Sequence, residues 1–327
     1  MTGSSGWKPV TGDNAGPEGA DPLSAPFRVL STLVQSAGIA ARPVAREPVH
    51  VWELSAVERI RLDDGTTFIL KTADTPFTRE AEVIVHASHH GVPVPTLRSV
   101  HRDPQGWLAM LMDDLGEMPE EDAPRDVGAQ AAVQVHACPA MDGLPFLDAA
   151  ALAALPGQAL ASLQQLRDTG RWTDNADVSA LLEQLAEVGE QRARGTDVGP
   201  FGLCHSEFHP TSLHTGPKGT TILDWARAFN GPGLLDLASW EDTPKPLDTD
   251  ALAAMIRAYV ATGGTVSALA NRGGLPAEVW AGGWHRVWIS EWYLQQSLRW
   301  IPDPSRDTAT QRTVRRHLEE AARCLTG

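Results

Sequence analysis

The chain has 327 residues, of which 42% are hydrophobic and 21% charged, and its formal net charge is −14 at pH 7. That length suits two lobes sharing a cleft better than a single core, and the composition excludes a disordered chain. The acidic balance argues against sequence-independent nucleic-acid binding, which relies on basic patches. It favours a cationic small molecule only weakly, because solubility alone accounts for an acidic surface.

The opening residues, MTGSSGWKPVTGDNAGPEGADPL, have neither the basic nor the apolar region of a signal peptide, and their Gly, Ser, Pro and Asp predict a flexible tail over 1–24. Residues 26–39 carry apolar side chains at helical spacing and stop at Gly38. From Val49 the period becomes two. VHVWEL, VERIRL and TTFILK read as strands, with Asp63-Asp64-Gly65 as a hairpin turn. A helix is predicted over 78–89, GVPVPTL is kept extended by its prolines, and HRDPQGWLAMLMDD reads as a strand pair turning at Pro104-Gln105-Gly106. This strand-rich part ends near Asp114-Leu115-Gly116, giving an expected N-lobe over 25–115.

From Pro124 the pattern is helical, in RDVGAQAAVQVHA and over 149–167, 178–194, 248–262, 276–300 and 307–325. An expected C-lobe therefore covers 116–327. The fold class is α+β, a small antiparallel sheet followed by a larger helical lobe. Cys138, Cys204 and Cys324 form no CxxC pair, which points to free thiols in a reducing, cytoplasmic setting. No apolar run approaches the roughly 18 residues of a membrane span.

One stretch interrupts the helices. In LCHSEFHPTSLHTGPKGTTILDW, over 203–225, Glu207 and Asp224 stand a short hairpin apart, with His209, His214, Thr211 and Ser212 between them. Carboxylates delivered from a loop and from a strand end suit a site that holds metal and phosphate. Upstream, Lys71 ends the third strand and Glu80 lies near the start of the next helix. A strand lysine held by a helix glutamate reaches the α- and β-phosphates of a nucleotide. The bland alternative makes Lys71 a solvent-facing strand end. Zinc on His209, His214 and Glu207 is a weaker reading, because no third ligand has a regular spacing.

Taken in order, VHVWELSAVERIRLDDGTTFILK, TREAEV, GVPVP, MLMDDLG, HSEFHPTSL, ILDW and GPGLLDLA resemble the aminoglycoside phosphotransferase family, whose members have a protein-kinase-like two-lobe fold. The resemblance implies an ATP- and Mg²⁺-dependent kinase that phosphorylates a small hydroxylated acceptor, plausibly an antibiotic of aminoglycoside or nucleoside type, with no nucleic-acid or membrane partner. It matches His205 to the family's first catalytic-loop His and Glu207 to its catalytic Asp. Ser212 takes the place of the metal-binding Asn, and Asp224 matches the metal-holding Asp. Asp236 matches the acidic residue that braces the loop. The backbone of Asp113, Asp114 and Leu115 corresponds to the adenine-receiving hinge, and Ser55 to a serine of the nucleotide loop.

Three departures accompany this match: Glu207 for Asp, Ser212 for Asn, and a nucleotide loop, HVWELSAV, without glycine. The rival readings are a catalytically weak or inactive kinase-like protein that senses nucleotide or ligand, and a protein-binding scaffold. Trp284, Trp288 and Trp292 recur at i, i+4 and i+8. That face reads as core packing, or as an aromatic wall for the acceptor with Glu291, Glu241 and Asp242 nearby. The sequence leaves the oligomeric state open.

Overall fold

The computed structural model describes residues 27–217, 219–240 and 244–327. The tail expected over 1–24 lies outside these residues, as do Lys218, Glu241 and Asp242. Strands β1 (Pro43–Trp52), β2 (Ser55–Leu62), β3 (Thr67–Ala73), β4 (Leu97–Arg102) and β5 (Leu108–Asp113) form an antiparallel sheet in the order β1-β2-β3-β5-β4. Its two faces follow from the two-residue period of strands. In β5, Ala109 and Leu111 join Ile60, Leu62, Phe68 and Leu70 beneath helix α1 (Phe27–Ser36), which contributes Val29, Leu30, Leu33 and Val34. Leu108, Met110 and Met112 belong to the other face, with Ala81, Val83, Ile84 and Ala87 of helix α2 (Glu80–His89). Lys71 lies between Leu70 and Thr72 on β3 and so shares the face of α2. A slip of one residue would turn it under α1, and burial of both faces forbids that slip.

Strand β1 starts at Pro43, not at the Val49 expected from VHVWEL. Pro48 reads as punctuation in the sequence. Here it is tolerated because β1 is an edge strand with a register shift between Pro48 and His50.

The second lobe begins with helices α3 (Arg125–His136), α4 (Ala149–Asp168) and α5 (Ala176–Arg192). Two small antiparallel pairs follow, β6 (Phe201–Cys204) with β9 (Phe229–Pro232) and β7 (Leu213–Gly216) with β8 (Gly219–Ile222). Helices α6 (Leu234–Ser239), α7 (Thr249–Ala261), α8 (Ala277–Gln295) and α9 (Asp307–Leu325) complete it. Trp280 and Trp284 of α8 are fully buried, and both indole N–H groups donate to the Arg192 carbonyl, at 2.6 and 3.2 Å. A buried Arg286–Glu320 ion pair at 2.8 Å joins α8 to α9. The helix expected over 276–300 widens into a π turn at Gln296–Trp300, where the Ile301 N–H donates to the Gln296 carbonyl.

Close approach of α3 to α6 requires a glycine. A Cβ on Gly128 would lie 2.3 Å from the Trp240 ring, far inside contact distance. Gly128→Val is therefore expected to cost about 1–3 kcal/mol through overpacking, read as a lower midpoint in chemical denaturation. An unchanged midpoint would contradict this packing.

Candidate active site

Three elements converge on Lys71. Its Nζ lies 2.8 Å from the Glu80 carboxylate, at the first turn of α2, and 2.7 Å from Asp224 Oδ1, just beyond β8. Glu80 also accepts the Trp225 N–H at 3.1 Å, so one carboxylate fixes both the lysine and the chain after Asp224. Burial alone would lower the Lys71 pKa, but the two carboxylates outweigh it and hold the ammonium above its ordinary value. Burial likewise pushes the Asp224 carboxyl up. The Lys71 charge and hydrogen bond outweigh that, His205 and His209 add to them, and Asp224 is held at about 2. Asp224 has φ of 61°, an uncommon value for a residue with a Cβ.

The loop after β6 is tied down from below. Asp236, fully buried on α6, accepts the N–H groups of His205 at 2.7 Å and Ser206 at 2.8 Å, with His136 Nε2 at 3.3 Å. Ser206 is held at φ 78°, a left-handed conformation that these contacts support. His205 is fully buried. Its Nε2–H donates to the Leu223 carbonyl at 2.7 Å, and its ring packs edge-on against Trp225. Ser212 Oγ donates to the Glu207 carbonyl at 2.7 Å. With its backbone fixed in this way, Glu207 extends a side chain that is 35% exposed toward Arg227, Oε1 lying 3.4 Å from Nη1. The Arg227 guanidinium in turn lies flat over Trp292, 4.2 Å from the ring centroid.

A cavity of about 280 Å³ between the lobes is lined by Lys71, Glu80, Asp224 and residues 113–116, together with Val57, Ile69 and Leu223. At its hinge edge the side chains of Asp113 and Asp114 pair with Arg98 (2.6 and 2.8 Å) and Arg59 (2.8 Å). Asp114 also accepts the Gly116 N–H. Thr211 and His214 line the same cavity. The sequence had set Thr211 beside Ser212 and His214 beside His209 without giving either a place on the nucleotide side.

Other expected residues lie elsewhere. Ser55 opens β2 opposite Trp52 and does not line this cavity. The β1–β2 hairpin tip instead reaches the other lobe. Glu53 pairs with Arg306, while Trp52, Phe77 and Trp292 stack in sequence with centroids 5.7 Å apart at each step. His205 and Ser212 lie behind the loop surface, so His205 is a positioning residue here, not a group facing a substrate.

Glu207 opens on a separate cavity of about 110 Å³ with His209, Arg227, His285 and Tyr293. The tryptophan series divides. Trp284 is core, whereas Trp288 and Trp292 line a third cavity of about 320 Å³ with Phe77, Leu144, Arg227 and Glu291. The sequence offered no pattern that marked Arg227.

Oxygen donors at this site suit a hard divalent cation. Asp224 presents a half-exposed carboxylate, whereas Ser212 Oγ is buried, gives its proton to the Glu207 carbonyl and has the His209 ring nitrogens at 3.3 and 3.4 Å. Mg²⁺ takes such oxygens and fills its remaining positions with water. The Asp224 carboxylate therefore fits the ion, while Ser212 reaches it only by turning from the Glu207 carbonyl.

Residues 50–270 match the family model described as the phosphotransferase enzyme family. No curated protein matches the chain by sequence. Among solved structures, a choline/ethanolamine kinase family protein from Mesorhizobium loti is similar over 91% of this chain and 99% of its own, at 17% identity and a TM-score of 0.60. A macrolide 2′-phosphotransferase from Brachybacterium faecium is similar over 91% and 97%, at 17% identity and a TM-score of 0.54. A thermostable mutant of an aminoglycoside phosphotransferase, in ternary complex with ADP and hygromycin B, is similar over 89% and 98%, at 16% identity and a TM-score of 0.57. At these identities the likeness carries the kinase-like fold, a sheet lobe followed by a helical lobe. The family match extends over more than half of the chain and includes Lys71, Glu80, Glu207, Asp224 and Asp236. The chain belongs to the phosphotransferase enzyme family and is a small-molecule kinase by fold and family.

Proposed function

We propose that the chain moves the γ-phosphoryl group of ATP to a hydroxyl of a small molecule, with Glu207 as the base and antibiotics among the candidate acceptors. The observation that carries this reading is the meeting of Lys71, Glu80 and Asp224 at one inter-lobe cavity, with Glu207 presented on a separate one by the loop that Asp236 fixes. Lys71 neutralises phosphate charge, and Glu80 holds it in place. The hinge backbone at 113–115 receives the base of the nucleotide. Asp224 would hold Mg²⁺, joined by Ser212 once its hydroxyl turns from the Glu207 carbonyl, and the ion when bound supplies further neutralisation of the phosphates.

Glu207 orients the acceptor hydroxyl and takes its proton as the new O–P bond forms and the β–γ bridging bond breaks. His205 and Asp236 fix the loop that carries it. Most of the rate then comes from positioning and charge, with no covalent enzyme intermediate. The three buried free cysteines support a reducing, cytoplasmic setting. Among the described residues, no helix is long and apolar enough to cross a membrane.

Nucleotide binding is tested by thermal shift. With ATP and Mg²⁺ at about 100 times Kd, the wild-type chain is expected to gain about 2.7 kcal/mol, and Lys71→Met to lose most of that gain. An acceptor-dependent release of ADP then separates an enzyme from a nucleotide sensor. A shift without turnover on any hydroxylated acceptor would favour the sensor, and no shift at all would favour a scaffold.

A further inference from the structure

The chemistry of the acceptor can be read from the walls around Glu207, provided the phosphotransfer reading above holds. The 320 Å³ cavity adjoins the smaller one that holds Glu207, because Arg227 and Trp292 line both. A molecule seated in the larger space thus presents a group past Arg227 to the base. Its walls, Phe77, Leu144, Trp288 and Trp292, are flat and apolar. Its volume is at the lower end of small-ligand sites, which run to roughly 1,000 Å³.

Charge in this space is not that of a polycation site. Arg227 is 6% exposed, and its one hydrogen bond among the described residues is the long contact to Glu207. The guanidinium carbon sits over the Trp292 ring, 4.2 Å from its centroid, and the side chain lines both cavities. Arg79 also lines the larger cavity, with its donors on the Gly143 and Asp142 carbonyls at 3.1 and 3.4 Å. Glu291 is the single carboxylate among the described residues lining it, and burial pushes its pKa up. On the Glu207 side, His285 is fully buried, and burial beside Arg286 keeps its pKa well below the ordinary value. Among the described residues lining the two cavities, an acceptor with several ammonium groups would meet Arg227 and Arg79 with only Glu291 and Glu207 to offset them. Arg227 lines both cavities and its N–H groups beyond the Glu207 contact are not shut away from them, so they are placed to receive an anion or a strong acceptor.

We propose that the acceptor is a small, flat, largely apolar alcohol carrying a carboxylate or equivalent acceptor group, which Arg227 receives while Glu207 takes the hydroxyl. Arg227 is thus the specificity-determining residue, and it selects against polycations.

A matched pair of probes tests this. The compounds 4-(hydroxymethyl)benzoate and 4-(hydroxymethyl)benzylamine share a ring and a hydroxyl and carry opposite charges. Calorimetric titration into the full chain with ADP and Mg²⁺ is expected to show the benzoate binding at least about tenfold tighter. Arg227→Gln is expected to weaken the benzoate by about 30-fold or more, as for a buried charge contact that loses one partner, and to leave the amine little changed. Trp292→Leu is expected to weaken both probes alike, by about 3- to 10-fold.

Equal or tighter binding of the amine overturns the proposal, as does failure of both probes to bind. An Arg227→Gln effect confined to the KM for ATP would put the guanidinium on the phosphates and overturn it as well. Binding is read without turnover. A chain that prefers the benzoate yet never releases ADP with any alcohol would overturn the phosphotransfer reading and leave the ligand class standing.

Discussion

Replacing Glu207 with Gln is expected to lower kcat by about 10²- to 10⁴-fold, the usual contribution of a positioned general base, with nucleotide binding little changed. The amide keeps the length and shape of the side chain but cannot take a proton from the acceptor hydroxyl. Nucleotide binding is spared because Glu207 faces Arg227 and the acceptor-side cavity, whereas Lys71 and Asp224 line the inter-lobe one. Glu207→Asp is the sharper companion. It restores the residue expected from the family resemblance but withdraws the carboxylate by one methylene from a loop built around the longer side chain. A misplacement of about 1 Å costs on the order of 100-fold. Coupled ADP-release assays with a turned-over acceptor measure both variants. A Gln variant as fast as wild type would remove Glu207 from the chemistry.

Asp236 gives the largest expected effect on stability. In Asp236→Ala the N–H groups of His205 and Ser206, now bonded at 2.7 and 2.8 Å, lose their acceptor in a fully buried site. Each orphaned donor costs about 1–3 kcal/mol, so the pair costs about 2–6 kcal/mol. For a chain of this size that corresponds to a fall in Tm of about 3–9 °C. Ser206 is also freed from its left-handed conformation, so the loop that presents Glu207 relaxes and kcat falls together with stability. Differential scanning calorimetry beside the ADP assay checks both effects. A variant with unchanged Tm would mean that the carboxylate is not the brace of this loop.

Particular residues show which parts of this molecule its sequence made legible. Strand β5 was readable because Leu108 to Met112 is a short apolar run just after the turn at Pro104-Gln105-Gly106, as a strand that feeds a core on each face has to be. Lys71 and Glu80 were readable for a related reason: a strand end and a helix start joined by a short connection bring the two side chains together. The start of helix α9 was readable because Pro302 and Pro304 precede it and its apolar stripe follows within one stretch of chain.

The tryptophans of α8 were not readable to the same depth. Periodicity says which residues share a side of a helix, but not what sits opposite. Trp284 meets the end of α5, and Trp292 meets Phe77 and Arg227, from distant parts of the chain. Arg227 carries no signal of its own, since a single loop arginine acquires meaning only from the ring beneath it and the carboxylate beside it. Ser55 was misread because a motif match located the hairpin but not its tilt. The tip bends toward the helical lobe, and the serine stays in the strand ladder.

That tip has a mechanical consequence. Besides the covalent hinge at 113–116 and the polar contacts of Lys71, Glu80 and Arg79, the lobes are held by a latch made of Glu53 with Arg306 and the stack of Trp52, Phe77 and Trp292. The lobes part at this contact only when the ion pair and the rings let go, which makes the contact a gate. Salt loosens that gate only in part. It screens the exposed ion pair but leaves the ring contacts in place. The ring at the inner end of the latch, Trp292, is also the floor on which Arg227 rests, so a molecule pressing on that floor is felt at the gate.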